Sequence, residues 1–247
     1  MNTGAFDDLV ELGKLARNEN IWFHVDGAFG ALIILDPERR HLVNGIEKAD
    51  SLAFDFHKWL HCPYDAGCVL VREETDLLST FSLSQSYLAG GDRGCAIDKP
   101  WFCELGPELS RCFRALKVWC TLKEHGIIRL GKKIADNCQQ AQYLGSLLAQ
   151  HETIIQTIRP IKLNIVNFRF ESEQLKSQMS NELIDQFNSD LLADLQISGR
   201  AVASTTRINE RLYIRVSITS HRCILKDFDD FLSDLMCLYQ SRIAINQ

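Results

Sequence analysis

Long hydrophobic runs are missing from this chain. No stretch approaches the ~20 consecutive apolar residues of a membrane span, and Met1 to Asp8 carries neither the basic stretch nor the apolar segment of a signal peptide. No membrane association is therefore expected, and the expected compartment is the cytoplasm. A long basic run is also missing, and the formal net charge is -5, which argues against nucleic acid as a partner and in favour of small molecules. Although there are nine cysteines, none forms a CxxC pair, so neither a zinc ribbon nor a disulfide framework is expected. The thiols read as reduced and mostly buried, with no metal site. No internal repeat or low-complexity segment is present. What the chain does have is 46% hydrophobic and 24% charged residues over 247 positions, enough to bury a real core.

Apolar residues recur near helical spacing from Phe6 to Ala16, with Asp7 and Asp8 at the start and Lys14 and Arg17 at the end. Ile21 to Val25 is β-branched and aromatic and reads as a buried strand, and Ser51 to Phe54 and Ala66 to Val71 read as two more. Helix followed by strand suggests a parallel sheet. From Ser79 to Pro107 the composition shifts to Ser, Gly, Asp and Pro, a loop long enough to be functional or mobile. Helical spacing returns from Glu108 to about Gln150 with a break near His125-Gly126. Beyond it the pattern gives a strand over Leu163 to Phe170, a helix over Asn181 to Leu195, a strand over Tyr213 to Ile218 and a helix from Lys226 to about Tyr239. The fold class is α/β, with a smaller α+β domain at the C-terminal end.

Two residues carry chemistry. Asp26 ends the first apolar run and is followed by Gly27 and Ala28, and in open parallel sheets ligands sit beyond the carboxyl ends of strands. Lys58 follows the second run in the same manner. A lysine at the edge of an apolar site is able to condense with an aldehyde through its neutral amine. Pyridoxal phosphate requires such a lysine, and an acid that keeps its ring nitrogen protonated. Taken singly, each residue has a plainer role: the aspartate as a turn former or helix cap, the lysine as a solvent-directed side chain lying over Trp59. The combination raises the cofactor reading above them.

Five segments extend that argument: HVDGAFG (His24 to Gly30), NGIEKADSLAFDFHKWL (Asn44 to Leu60), PYDAGCVLVR (Pro63 to Arg72), CFRALKVW (Cys112 to Trp119) and LYIRVSITSHR (Leu212 to Arg222). Their order and spacing resemble the group II pyridoxal-phosphate-dependent decarboxylases, which include the aromatic-amino-acid, glutamate and histidine decarboxylases. The resemblance implies a type I aminotransferase-like fold, with residues 1–125 as the later half of the large cofactor domain and 126–247 as a linking helix and small C-terminal domain. It implies Lys58 as the Schiff-base lysine, Asp26 as the partner of the pyridinium nitrogen, Ala28 as the small residue under the ring and His57 as the histidine near the phosphate. Asp55 stands where several relatives have Asn, and a carboxylate there would repel a phosphate unless it faces elsewhere. Arg215 matches an arginine that binds a substrate carboxylate in glutamate decarboxylase, although a surface strand arginine is an equally good reading of the residues alone.

The similarity begins at Asn2, at a segment that lies mid-chain in relatives, so the family's N-terminal half is expected to be missing here. A homodimer or a complementary chain is then expected to complete the site and to cover sheet edges otherwise left open. The loop from Ser79 to Pro107 resembles the family's mobile catalytic loop. Ungapped counting places Phe102 near its proton-donating tyrosine, with Tyr87 in the same loop as the alternative. The expected reaction is decarboxylation of an amino acid to its amine. If Phe102 replaces the tyrosine, an aldehyde-forming reaction becomes the alternative; another carbon–carbon lyase, or a non-catalytic fragment or subunit needing a complementary N-terminal chain, are further ones.

Overall fold

The computed structural model describes residues 2–82 and 101–245, so most of the loop expected to be mobile, including Tyr87, lies outside the described residues. The chain divides into two compact units, Asp7–Leu130 and Met1–Phe6 together with Gly131–Gln247.

In the first unit, α1 (Leu9–Asn18) begins one residue after Asp8, whose carboxylate accepts hydrogen bonds from the Val10 and Glu11 N–H groups. That cap satisfies donors that a helix start otherwise leaves unpaired. A three-stranded sheet follows, in the order β1 (His24–Asp26), β2 (Ser51–Asp55), β3 (Gly67–Val71). β1 and β2 are parallel, with Val25 opposite Leu52 and Asp26 opposite Ala53. The expectation of a wholly parallel sheet fails at β3, which runs antiparallel to β2. Its connection, residues 56–66, falls short of the dozen or so residues that a parallel crossover needs. The buried strand expected over Ile21 to Val25 is also shorter than its composition suggests: Ile21 and Trp22 precede the strand and are exposed, and only Val25 turns inward. Short α2 (Phe56–Trp59) and α3 (Glu74–Phe81) flank β3, and α4 (Arg114–His125) closes the unit. The expected helix break falls at Gly126, after which α5 (Ile127–Ala149) begins.

The second unit adds β4 (Ile155–Thr157), β5 (Ile165–Phe170), α6 (Glu173–Gln178), α7 (Asn181–Ile197), β6 (Ser204–Ile208), β7 (Arg211–Ser217) and α8 (Leu225–Ile245). Its sheet runs β4-β5-β7-β6, antiparallel throughout. One face packs Val166, Phe168, Phe170 and Ile214 against Leu144, Leu148, Leu191, Leu195 and Leu235. The opposite face is polar, with Asn167 across from Arg215 and the Arg169 guanidinium over the Tyr213 ring. Arg169 is fully buried, and ion pairs at 2.9 Å to both Glu171 and Asp185 hold it there.

The eight described cysteines are free thiols. Cys62 and Cys138 are buried as expected, whereas Cys112, Cys120 and Cys237 are exposed, so the thiols are not mostly buried. Among the described residues no helix is long and apolar enough to cross a membrane.

Candidate functional site

Two neighbouring strands deliver the site. Asp26 is the last residue of β1, and Lys58 sits in α2 directly after β2. Beyond the ladder the two main chains stay together, because the Gly27 N–H donates to the Ala53 carbonyl at 2.9 Å and the Asp55 N–H donates to the Ala28 carbonyl at 3.1 Å. Asp26, Gly27 and Ala28 therefore lie beside the segment that leads into Lys58, at the carboxyl end of a parallel pair. Gly27 makes this approach feasible, since a Cβ there would stand 2.6 Å from the Ala31 Cβ and 3.1 Å from Leu52 Cδ1. The Ala28 N–H donates to Asp26 Oδ1 at 3.1 Å, which orients the exposed carboxylate.

Lys58 is held by its neighbours on both sides. Trp59 is fully buried and stacks on Phe29 with ring centroids 4.5 Å apart, so the turn of α2 is pinned to the core. Lys58 does not lie over Trp59; its Nζ pairs with Asp55 Oδ2 at 2.5 Å, with the lysine side chain 36% and the aspartate 21% exposed. Asp55 thus faces the lysine. His57 Nδ1 accepts a hydrogen bond from the Ala66 N–H at 3.0 Å, and its ring meets Tyr64 edge-on at 4.6 Å. A ring nitrogen that accepts from an amide carries no proton, so the neutral imidazole keeps its proton on Nε2 as a donor.

The residues around β3 complete this region. Cys68 lies opposite Phe54, where burial, and then the Asp55 charge, pushes its thiol above the ordinary range. Asp65 receives Arg114 Nε at 2.9 Å and Lys117 Nζ at 3.4 Å. The hydrogen bond from Arg114, supported by the main chain and Lys117, holds the Asp65 carboxyl below its usual range, and Asp65 in turn raises Arg114. This link ties α4 to the loop before β3. Sequence reasoning missed it because the partners stand 49 positions apart, with no local spacing to join them.

The structure therefore brings together Asp26, Ala28, Asp55, His57 and Lys58. Phe102 opens a 3-10 helical turn, Phe102–Leu105, with the residue 82% exposed, outside that hydrogen-bonded group. Arg215 belongs to the second unit, on β7 between Asn167 and Ser204, where burial lowers its guanidinium from the ordinary value.

Residues 1–171 match the pyridoxal-dependent decarboxylase conserved domain. The chain belongs to that family. It is 34% identical over 237 residues to an aromatic-L-amino-acid decarboxylase of Bacillus atrophaeus, a match that covers 96% of this chain and 48% of that protein. A histidine decarboxylase of Drosophila melanogaster is likewise 34% identical over 237 residues, covering 96% of this chain and 26% of the relative. The fold is the type I fold of the decarboxylases, as in the crystal structure of Oryza sativa TDC with PLP and tryptamine. That structure superposes with a TM-score of 0.85 at 22% identity, over 96% of this chain and 48% of its own. The chain spans between 26% and 51% of the length of these and similar curated relatives, 48% for the Bacillus enzyme.

Proposed function

We propose that this chain supplies the lysine-bearing part of a pyridoxal-phosphate-dependent carboxy-lyase, which converts an amino acid to its amine. The observation that carries this reading is the placement of Asp26 and Lys58 at adjacent carboxyl ends of the parallel pair β1 and β2.

The donor set suits the cofactor: an amine for its aldehyde, a carboxylate for its ring nitrogen, an imidazole N–H for its phosphate, and small residues between them. When bound, the cofactor supplies the electron sink that accepts the pair left behind as the α-carboxylate departs as carbon dioxide. Lys58 anchors the aldehyde. Asp26 holds a proton on the ring nitrogen, with the Ala28 N–H keeping its carboxylate oriented. Ala28 leaves room for a flat ring, and His57 Nε2 donates toward the phosphate.

The reading includes a second chain, either a second copy or a complementary polypeptide, that completes the site in the cytoplasm. Its support is the exposure of Trp22, Val69 and Leu70 around the first sheet. Steady decarboxylation by the isolated monomeric chain would overturn that part. For the site itself, the test is borohydride reduction of the chain with pyridoxal phosphate, followed by peptide mapping. Label confined to Lys58 supports the reading, and label spread over surface lysines or absent overturns it.

A second reading concerns the product. The exposed Phe102 side chain has no hydroxyl to donate a proton to the α-carbon, which favours aldehyde formation, in which amino acid, oxygen and water give aldehyde, carbon dioxide, ammonia and hydrogen peroxide. Assay of amine, ammonia and aldehyde separates the two, and amine as sole product rejects the second.

A further inference from the structure

We propose that Asp55 is a positioning residue that brakes the uptake of pyridoxal phosphate by Lys58, holding the amine as a paired ammonium until it is released. The inference rests on the reading of Lys58 as the anchoring amine.

The carboxylate has been given this place by three separate features of the fold. Asp55 is the last residue of β2, its N–H tied to the Ala28 carbonyl at 3.1 Å and its backbone opposite Gly67 in the ladder, so it cannot drift. Lys58 stands one helical turn further on, the spacing at which side chains on a helical turn meet, and its Nζ lies 2.5 Å from Asp55 Oδ2. Gly67 leaves the lane open, since a Cβ there would stand 3.1 Å from Asp55 Oδ1.

The covalent step makes the pair matter. Only a neutral amine has the lone pair that attacks an aldehyde carbon. The ammonium must therefore leave the carboxylate and give up one proton. A nitrogen–carbon bond then forms, water departs, and C=N replaces C=O with no change of oxidation state. An ion pair that water still reaches is worth only a modest amount, so the effect is a moderate brake and not a block.

The test compares the parent chain with Asp55→Asn, which keeps the shape beside Gly67 and removes only the charge. Each is mixed with excess pyridoxal phosphate, the absorbance rise on carbon–nitrogen bond formation is followed in time, and the product is reduced with borohydride and mapped. Asp55→Asn is expected to capture the cofactor at Lys58 about two- to five-fold faster, as loss of a partly exposed pair implies. Added salt screens the pair in the parent, so the ratio of the two rates should narrow as ionic strength rises. A purely structural role for Asp55 predicts a slower variant. Equal or slower capture by Asp55→Asn, with label at Lys58 in both proteins, overturns the inference alone. Label absent from Lys58 in both overturns the reading of Lys58 and the inference with it.

Discussion

His57 shows how one backbone contact decides what a side chain has to offer. Because the Ala66 N–H occupies Nδ1, the ring presents Nε2–H, and an anion facing that nitrogen meets a donor even when the imidazole is neutral. Replacing His57 with Ala removes the donor and also leaves the Ala66 amide without its acceptor. Pyridoxal phosphate affinity, measured by absorbance titration, is expected to fall about ten-fold, the low end for a hydrogen bond to a charged group. The same scale holds the buried charges of the second unit. The Asp185 carboxyl lies below its ordinary range: burial works to raise it, but the Leu212 N–H, the Arg169 guanidinium and Arg207 outweigh burial. Asp185→Ala strips the fully buried Arg169 of one of its two carboxylates, and denaturant unfolding should show a loss of about 3 kcal/mol.

Between elements, the connection of α4 to the loop before β3 rests on Asp65 with Arg114 and Lys117. The folded carboxyl titrates below its unfolded value, so the link contributes fully above that value, about 3.9, and the contribution is lost as pH falls through the lower, folded value. Asp65→Asn should therefore melt below the parent near neutral pH, and the gap should close in strongly acidic solution, as thermal unfolding at several pH values would show. Elements built on long apolar periodicity were legible beforehand. Helix α7 starts at the expected Asn181 with Ser180 as its cap, and the break between α4 and α5 falls at the expected glycine. Elements that exist through their partners were not: β6, reading Ser-Thr-Thr-Arg-Ile, has little apolar pattern and is a strand because β7 pairs with it from Ser204 to Ile208. The candidate site divides in the same way. Asp26 and Lys58 stand out as candidates because each follows a visible apolar run, whereas the direction of the Asp55 carboxylate depends on the room at Gly67, which no local pattern records.

At the scale of the molecule, the two sheets are covered to very different degrees. In the second unit Phe168 is fully buried between strands and helices, and Phe168→Ala should cost about 3–5 kcal/mol in denaturant unfolding. The first unit's sheet leaves Val69 59% and Leu70 53% exposed on β3, with Trp22 at 52% just before β1. Exposed apolar side chains on a sheet favour association with other chains. Light scattering should accordingly show the apparent mass rising with concentration, and Val69→Lys should reduce the rise without altering the far-ultraviolet circular dichroism.

The stack of Trp59 on Phe29 has a kinetic meaning for the residue beside it. With the backbone of Lys58 fixed to the core, its nitrogen explores only the small volume that four side-chain torsions allow, so under the proposed function the amine would act as a tethered reagent at high local concentration. Loosening that anchor, as in Trp59→Ala, would leave the amine chemically unchanged and dilute it, spreading the same nitrogen over a larger volume and lowering how often it meets an aldehyde held at the ends of β1 and β2.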